Sequence, residues 1–184
     1  MSHHLSVDDL SLAGLVNSRA GVSVERCYQC GKCSAGCPAA GAMDLAPSVV
    51  LRNLQVRTAD AEARVLASYS IWLCLACQTC LARCPMEVDL PKVMDVLRAE
   101  SLKRRLVNPK AKDIVAFHTS FLNTIKRFGR MWEMGMVGEY KLRTGHLLQD
   151  VAVAPVMFFK GKLSLVPEFC GRFAGRIFTA KERA

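Results

Sequence analysis

Four cysteines stand at offsets of three, three and four in residues 27–37, CYQCGKCSAGC, and the arrangement returns in residues 74–84, CLACQTCLARC. A proline, Pro38 or Pro85, closes each run. No other feature limits the fold as much. Spacers of two residues let a short loop wrap three corners of a [4Fe-4S] cube, and in chains with two such runs the fourth cysteine serves the other cube. The pattern therefore predicts one cluster held by Cys27, Cys30, Cys33 and Cys84, and a second held by Cys74, Cys77, Cys80 and Cys37. Gly31, Ser34, Ala35 and Gly36 in the first run, with Ala76 and Ala82 in the second, are small enough to let backbone N–H groups approach inorganic sulfur.

Zinc is the rival reading, although structural zinc favours two separated C-x2-C pairs over two unbroken four-cysteine runs. Disulfides need an oxidising compartment. The start of the chain, MSHHLSVDDLSLAGL, has no basic stretch leading into an apolar one, so secretion is not expected and the cytoplasm is the default. The longest apolar run, residues 151–159, is far short of the roughly 20 residues that span a bilayer, and no transmembrane segment is expected.

A length of 184 residues suits one ordinary domain with an extension. The expected fold is mainly α: an α-helical ferredoxin-type domain with two [4Fe-4S] clusters and a helical or extended C-terminal extension. Residues 1–20 read as an N-terminal helix or arm, 21–108 as the dicluster domain and 109–184 as a basic extension that docks on partners. A helix over 6–20 would carry Leu10, Leu12, Leu15 and Val16 as a lid on the cysteine loops. Pro47 marks a helix start, with Val49, Val50, Leu54 and Val56 as its apolar stripe. Thr58 or Asp60 caps a helix reaching about Tyr69, and Asp89 caps one with Pro91 in its first turn and Val93, Val96 and Leu97 on one face. Beyond Asn108-Pro109, steps of three and four link Ile114, Phe117, Phe121, Ile125, Phe128 and Trp132. The two cysteine runs, each followed by an Asp-Leu pair (Asp44-Leu45, Asp89-Leu90) and a helix reaching Leu-Arg (Leu51-Arg52, Leu97-Arg98), read as an internal repeat with two equivalent sites.

Charge is divided unevenly. Residues 1–97 hold 8 Lys/Arg against 9 Asp/Glu, whereas residues 98–184 hold 17 against 7. The basic half, with apolar residues between its charges, suits a strap on partner subunits. An anionic membrane surface, through residues 151–162, ranks second, and nucleic acid third because no recognised binding module accompanies the charge. No dinucleotide fingerprint and no P-loop occur. A chain whose cluster irons are all capped by cysteine has no open position for a substrate, which points to a non-catalytic electron relay.

Through the segments CYQCGKCSAGCP, IWLCLACQTCLARCP and DLPKVMDVLR, the chain resembles the C subunit of heterodisulfide reductase, within the helical two-cluster ferredoxin domains. The resemblance covers about residues 20–105. It implies a complex in which electrons pass between a flavin-containing A subunit and a catalytic B subunit with noncubane iron-sulfur clusters acting on disulfides or thiols. No Cys-Cys-Gly occurs, so the chain does not resemble that B subunit. A free-standing dicluster ferredoxin and a four-cysteine zinc module that binds nucleic acid are the alternatives.

Individual residues add less. Trp72 and Tyr28 flank the cysteines and read as shielding core. Lys32 in the first loop faces neutral Thr79 at the matching position of the second, which predicts unequal potentials with the first cluster higher. Cys170, outside both runs, reads as a structural thiol, and His3, His4, His118 and His146 read as surface or packing residues rather than ligands.

Overall fold

A computed structural model describes residues 11–149, 153–161 and 167. The described residues are helices and turns, with no strand among them, and the chain divides into two compact units, residues 1–111 and 112–184. His3, His4, Cys170 and the start of the expected first helix lie outside the described residues.

The first unit contains helices α1 (Leu12–Ala20), α2 (Lys32–Ala35), α3 (Pro47–Val56), α4 (Ala59–Leu66), α5 (Ser70–Leu73), α6 (Thr79–Ala82) and α7 (Leu90–Lys103). Their ends obey local chemistry. Ser11 Oγ accepts the Gly14 N–H at 3.0 Å, Thr58 Oγ1 accepts from Ala61, and Asp89 Oδ1 accepts the Lys92 N–H at 3.3 Å. Pro47 and Pro91 occupy first turns, where a missing N–H costs nothing. Gly21, at φ 63°, closes α1 in the left-handed region that glycine enters without strain.

Leu12 and Val16 of α1, Val50 and Leu54 of α3, Val65 and Leu66 of α4, Ile71 of α5 and Val93 and Leu97 of α7 are fully buried. Burying a side chain of this kind contributes about 1.5–3 kcal/mol, so this cluster is the main force holding α1, α3, α4 and α7 together. The stripe on α3 differs from the expected one. Val49 and Val56 are exposed, and Pro47 and Leu51 take the inner face with Val50 and Leu54. On α7, Met94 is buried where Val96 is only half-buried. The helix expected to reach Tyr69 ends at Leu66, and a second short one begins at Ser70. Helix α1 packs on α3, α7 and the turn Val24–Arg26 that leads into Cys27.

The second unit pairs α8 (Lys112–Phe128) with α9 (Glu133–Thr144), followed by α10 (Ala154–Phe159). Its buried residues on α8 are Ala116, Ser120 and Thr124, one per turn, while the expected aromatic stripe is half-buried and Phe117 is exposed. Phe117 instead meets Tyr140 edge to face at 6.2 Å, and Asn123 Nδ2 donates to Glu139 Oε1 at 2.6 Å. Among the described residues no helix is long and apolar enough to cross a membrane.

Candidate iron-sulfur sites

The two cysteine runs fold alike. In the first, Gln29 (φ 64°) and Gly31 (φ 77°) are left-handed, and helix α2 starts immediately afterwards; in the second, Ala76 (φ 51°) and Gln78 (φ 61°) hold the matching positions ahead of α6. Left-handed residues among others of ordinary hand turn successive N–H groups inward and make a concave nest for anions. Three of these four residues carry a Cβ, and a non-glycine residue there costs roughly 1–2 kcal/mol. The same strain in both loops marks a backbone shaped for what the thiols hold.

Eight thiols line two cavities. Cys27, Cys30, Cys33 and Cys84 surround one, and Cys37, Cys74 and Cys77 surround the other; Cys80 lines both. Counting their open mouths, the cavities enclose similar spaces of about 350 and 390 Å³. None of these eight cysteines is in a disulfide; Cys30 and Cys77, the matching second cysteines, are exposed and the rest are partly buried. Among the described residues no three His, Cys, Asp or Glu side chains converge at the spacing one metal ion requires. A structural zinc would hold four sulfurs each about 2.3 Å from a single ion. The spread of thiols around each cavity suits a polynuclear core instead.

Neighbouring groups prepare the sulfurs. Val88 N–H donates to Cys84 Sγ at 3.3 Å, and Gln29 Nε2 lies 3.5 Å from Cys27 Sγ. Thr79 Oγ1 is 3.4 Å from Cys77 Sγ, and this contact holds the Cys77 thiol below the usual range. Burial pushes the Cys33 thiol up, and burial pushes Cys80 up to about 11. Metal binding would require these inner thiols to release their protons. The cavity with Cys27 also presents Gln29, Lys32 and Ser48, whereas the lining of the one with Cys74 has no charged side chain.

Several supporting residues carry no motif. Gln55 Nε2 donates to Cys27 O at 2.7 Å, and Arg98 Nη2 donates to Cys74 O at 2.6 Å, so each leading cysteine is braced from a later helix. Asp44 takes N–H groups from Tyr69 and Ser70 and the Ser70 hydroxyl, fixing the start of α5 just before Cys74. The two Asp-Leu pairs of the repeat thus do different work, since Asp89 caps only its own helix. Trp72 is buried as expected, but Tyr28 is 59% exposed and shields no core; Leu75, at the matching position, is 71% exposed. His118 is exposed, and His146 lies 3.5 Å from Asp113 on the surface of the second unit.

The first unit is thus a helical domain with two matched four-cysteine loops, the architecture of an α-helical dicluster domain. Residues 23–88 match the family model of the 4Fe-4S dicluster domain, and the eight cysteines at 27–84 fit two [4Fe-4S] clusters. The chain is similar to the C subunits of heterodisulfide reductases. It is 27% identical over 109 residues to the C subunit of the H2:CoB-CoM heterodisulfide,ferredoxin reductase of Methanothermobacter thermautotrophicus, covering 59% of this chain and 57% of that protein. It is 36% identical to the iron-sulfur C subunit of the CoB-CoM heterodisulfide reductase of Methanopyrus kandleri over 42% of this chain and 38% of that one. The C2 iron-sulfur subunit of the CoB-CoM heterodisulfide reductase of Methanocaldococcus jannaschii is 37% identical over 41% of this chain and 39% of its own length. The matches therefore span from under half to just over half of these relatives.

Proposed function

We propose that this chain is the electron-transfer subunit of a cytoplasmic heterodisulfide-reductase-like complex. The observation that carries the reading is the pair of matched thiol-lined cavities, each with one solvent-exposed cysteine. Two [4Fe-4S] clusters, when bound, supply one-electron transfer at each site. The ligand sets we propose are Cys27, Cys30, Cys33 and Cys84 for the first and Cys74, Cys77, Cys80 and Cys37 for the second; the cavity linings support this exchange of fourth ligands. The residues themselves do the holding. Left-handed loops aim N–H groups at anionic sulfur, Gln55 and Arg98 fix the leading cysteines, and the buried core of the first unit keeps the two loops in register. Exposed Cys30 with Tyr28, and exposed Cys77 with Leu75, supply two places where a redox partner can approach within electron-transfer reach.

The partners proposed are a flavin-containing A subunit and a B subunit that performs the disulfide or thiol chemistry. The names of the relatives support a subunit role over that of a free-standing ferredoxin. Anoxic purification of the full chain is expected to give a brown protein with about eight iron and about eight sulfide per chain. A colourless protein with about two zinc overturns the reading in favour of a structural metal module. Docking by the basic extension has its own test: deletion of residues 137–184 is expected to abolish co-purification of the other subunits, and an intact complex after that deletion refutes it.

A further inference from the structure

The braces on the two leading cysteines are alike in place and unlike in charge. On the first loop Gln55 Nε2, from α3, donates to Cys27 O at 2.7 Å and Val24 O at 3.0 Å. On the second, Arg98 of α7 spans a similar pair of carbonyls, its Nε 2.6 Å from Ile71 O and its Nη2 2.6 Å from Cys74 O. One brace is a neutral amide, and the other is a positively charged guanidinium. The Arg98 side chain is 17% exposed, and Asp95, 3.1 Å away, is the carboxylate paired with it; Asp95 is 65% exposed. Water and salt screen the Asp95 charge more than that of Arg98. Lys32 of the first loop is exposed, so its charge is screened in the same way.

Adding an electron to a cluster adds negative charge, and net charge and hydrogen bonding near the sulfurs set the reduction potential. We infer that Arg98 is a positioning residue for the second site that also raises its potential, whereas Gln55 positions Cys27 without adding charge. This rests on the two-cluster reading. The lining of the second cavity has no charged side chain, a setting that disfavours the more negative reduced state. Arg98 lies behind the ligand backbone and offsets that penalty.

The test is a redox titration of the anoxically purified full chain, followed by electron paramagnetic resonance, with the two signals assigned through Cys30→Ser and Cys77→Ser. Arg98→Gln is expected to lower the second midpoint and leave the first where it is, and Arg98→Lys to restore most of the shift. Asp95→Asn keeps the brace and removes the opposing charge, so it is expected to raise the same midpoint. An unchanged second midpoint in both Arg98→Gln and Asp95→Asn, at wild-type iron content, overturns the inference, as does an equal movement of both midpoints. If Arg98→Gln fails to load iron, Asp95→Asn titrated at low ionic strength, where screening by salt is weak, decides by the same criterion. Failure of the underlying reading is distinguishable: the wild-type chain would then lack two [4Fe-4S] signals before any variant is made.

Discussion

Cys37→Ala is expected to cost the chain its second cluster and spare its first. Iron then falls from about eight to about four per chain, and the remaining signal is the one perturbed by Cys30→Ser. Cys37 belongs by sequence to the first run, only four residues beyond Cys33, yet it lines the cavity shared by Cys74, Cys77 and Cys80. Cys84 makes the reverse crossing into the cavity with Cys27, Cys30 and Cys33, so Cys84→Ala is expected to remove the first cluster instead. The crossing also predicts that each single loss destabilises the neighbouring loop, because one run supplies ligands to both sites. Alanine is the stronger test, since a serine oxygen can still approach iron. Iron and sulfide analysis with paramagnetic resonance of the reduced chain reads the result. If Cys37→Ala removes the cluster perturbed by Cys30→Ser, ligation is local to each run and the crossed scheme is wrong.

The cysteines were legible because metal ligation imposes spacing directly on sequence. A cube needs three thiolates from one tight loop, and the loop can be short only if the spacers are. Helix starts were legible for a similar reason. Pro47, Pro91, Thr58 and Asp89 act on N–H groups within three residues of themselves, so their effect is written locally. The braces are different in kind. Gln55 acts 28 residues from Cys27, and Arg98 acts 24 residues from Cys74; no periodicity links such pairs. The repeat even points to the wrong residue in the first half, since it pairs Arg52 with Arg98, whereas Gln55 does the bracing.

The left-handed positions show a second limit. Gly31 advertises its conformation, but Gln29, Ala76 and Gln78 adopt the same hand without the residue that favours it. Their strain is imposed by tertiary structure and is invisible to propensity. In the second unit the aromatic period along α8 was real, but it did not select the buried face. Ala116, Ser120 and Thr124 are buried there, and side chains that small permit a close approach that aromatic rings would block. Periodicity says that a helix has two faces; the partner decides which face is covered.

The other large effect is expected at Asp44, a residue without a motif. Its Oδ1 accepts the N–H of Leu45 at 3.0 Å, the N–H of Ser70 at 2.9 Å and the hydroxyl of Ser70 at 2.6 Å, and its Oδ2 accepts the N–H of Tyr69 at 2.9 Å. Burial pushes this carboxyl up, but the bonds from Ser70, Tyr69 and Leu45 outweigh it and hold the group below its usual range. One carboxylate thus ties the segment after the first cysteine run to the start of α5, which runs directly into Cys74. Ser70 is fully buried, so removal of its acceptor leaves donors with poor access to water. A bond to a charged acceptor contributes about 1.5–3 kcal/mol when it is buried, but Asp44 is itself exposed and water can replace most of what is lost outside Ser70. Asp44→Ala is therefore expected to destabilise the first unit by about 2–3 kcal/mol, a large share of the roughly 5–15 kcal/mol that holds a typical domain. Thermal unfolding under anoxia reads the stability, and release of iron to a chelator reads the site, with the second cluster leaving faster than the first. Asp89→Ala, which removes one local cap, is expected to cost only about 1 kcal/mol and is the comparison. A double-mutant cycle with Ser70→Ala is expected to show coupling of about 1 kcal/mol or more. Additive losses, or both clusters released at equal rates, would sink the role of Asp44 as the tie between the two halves of the repeat.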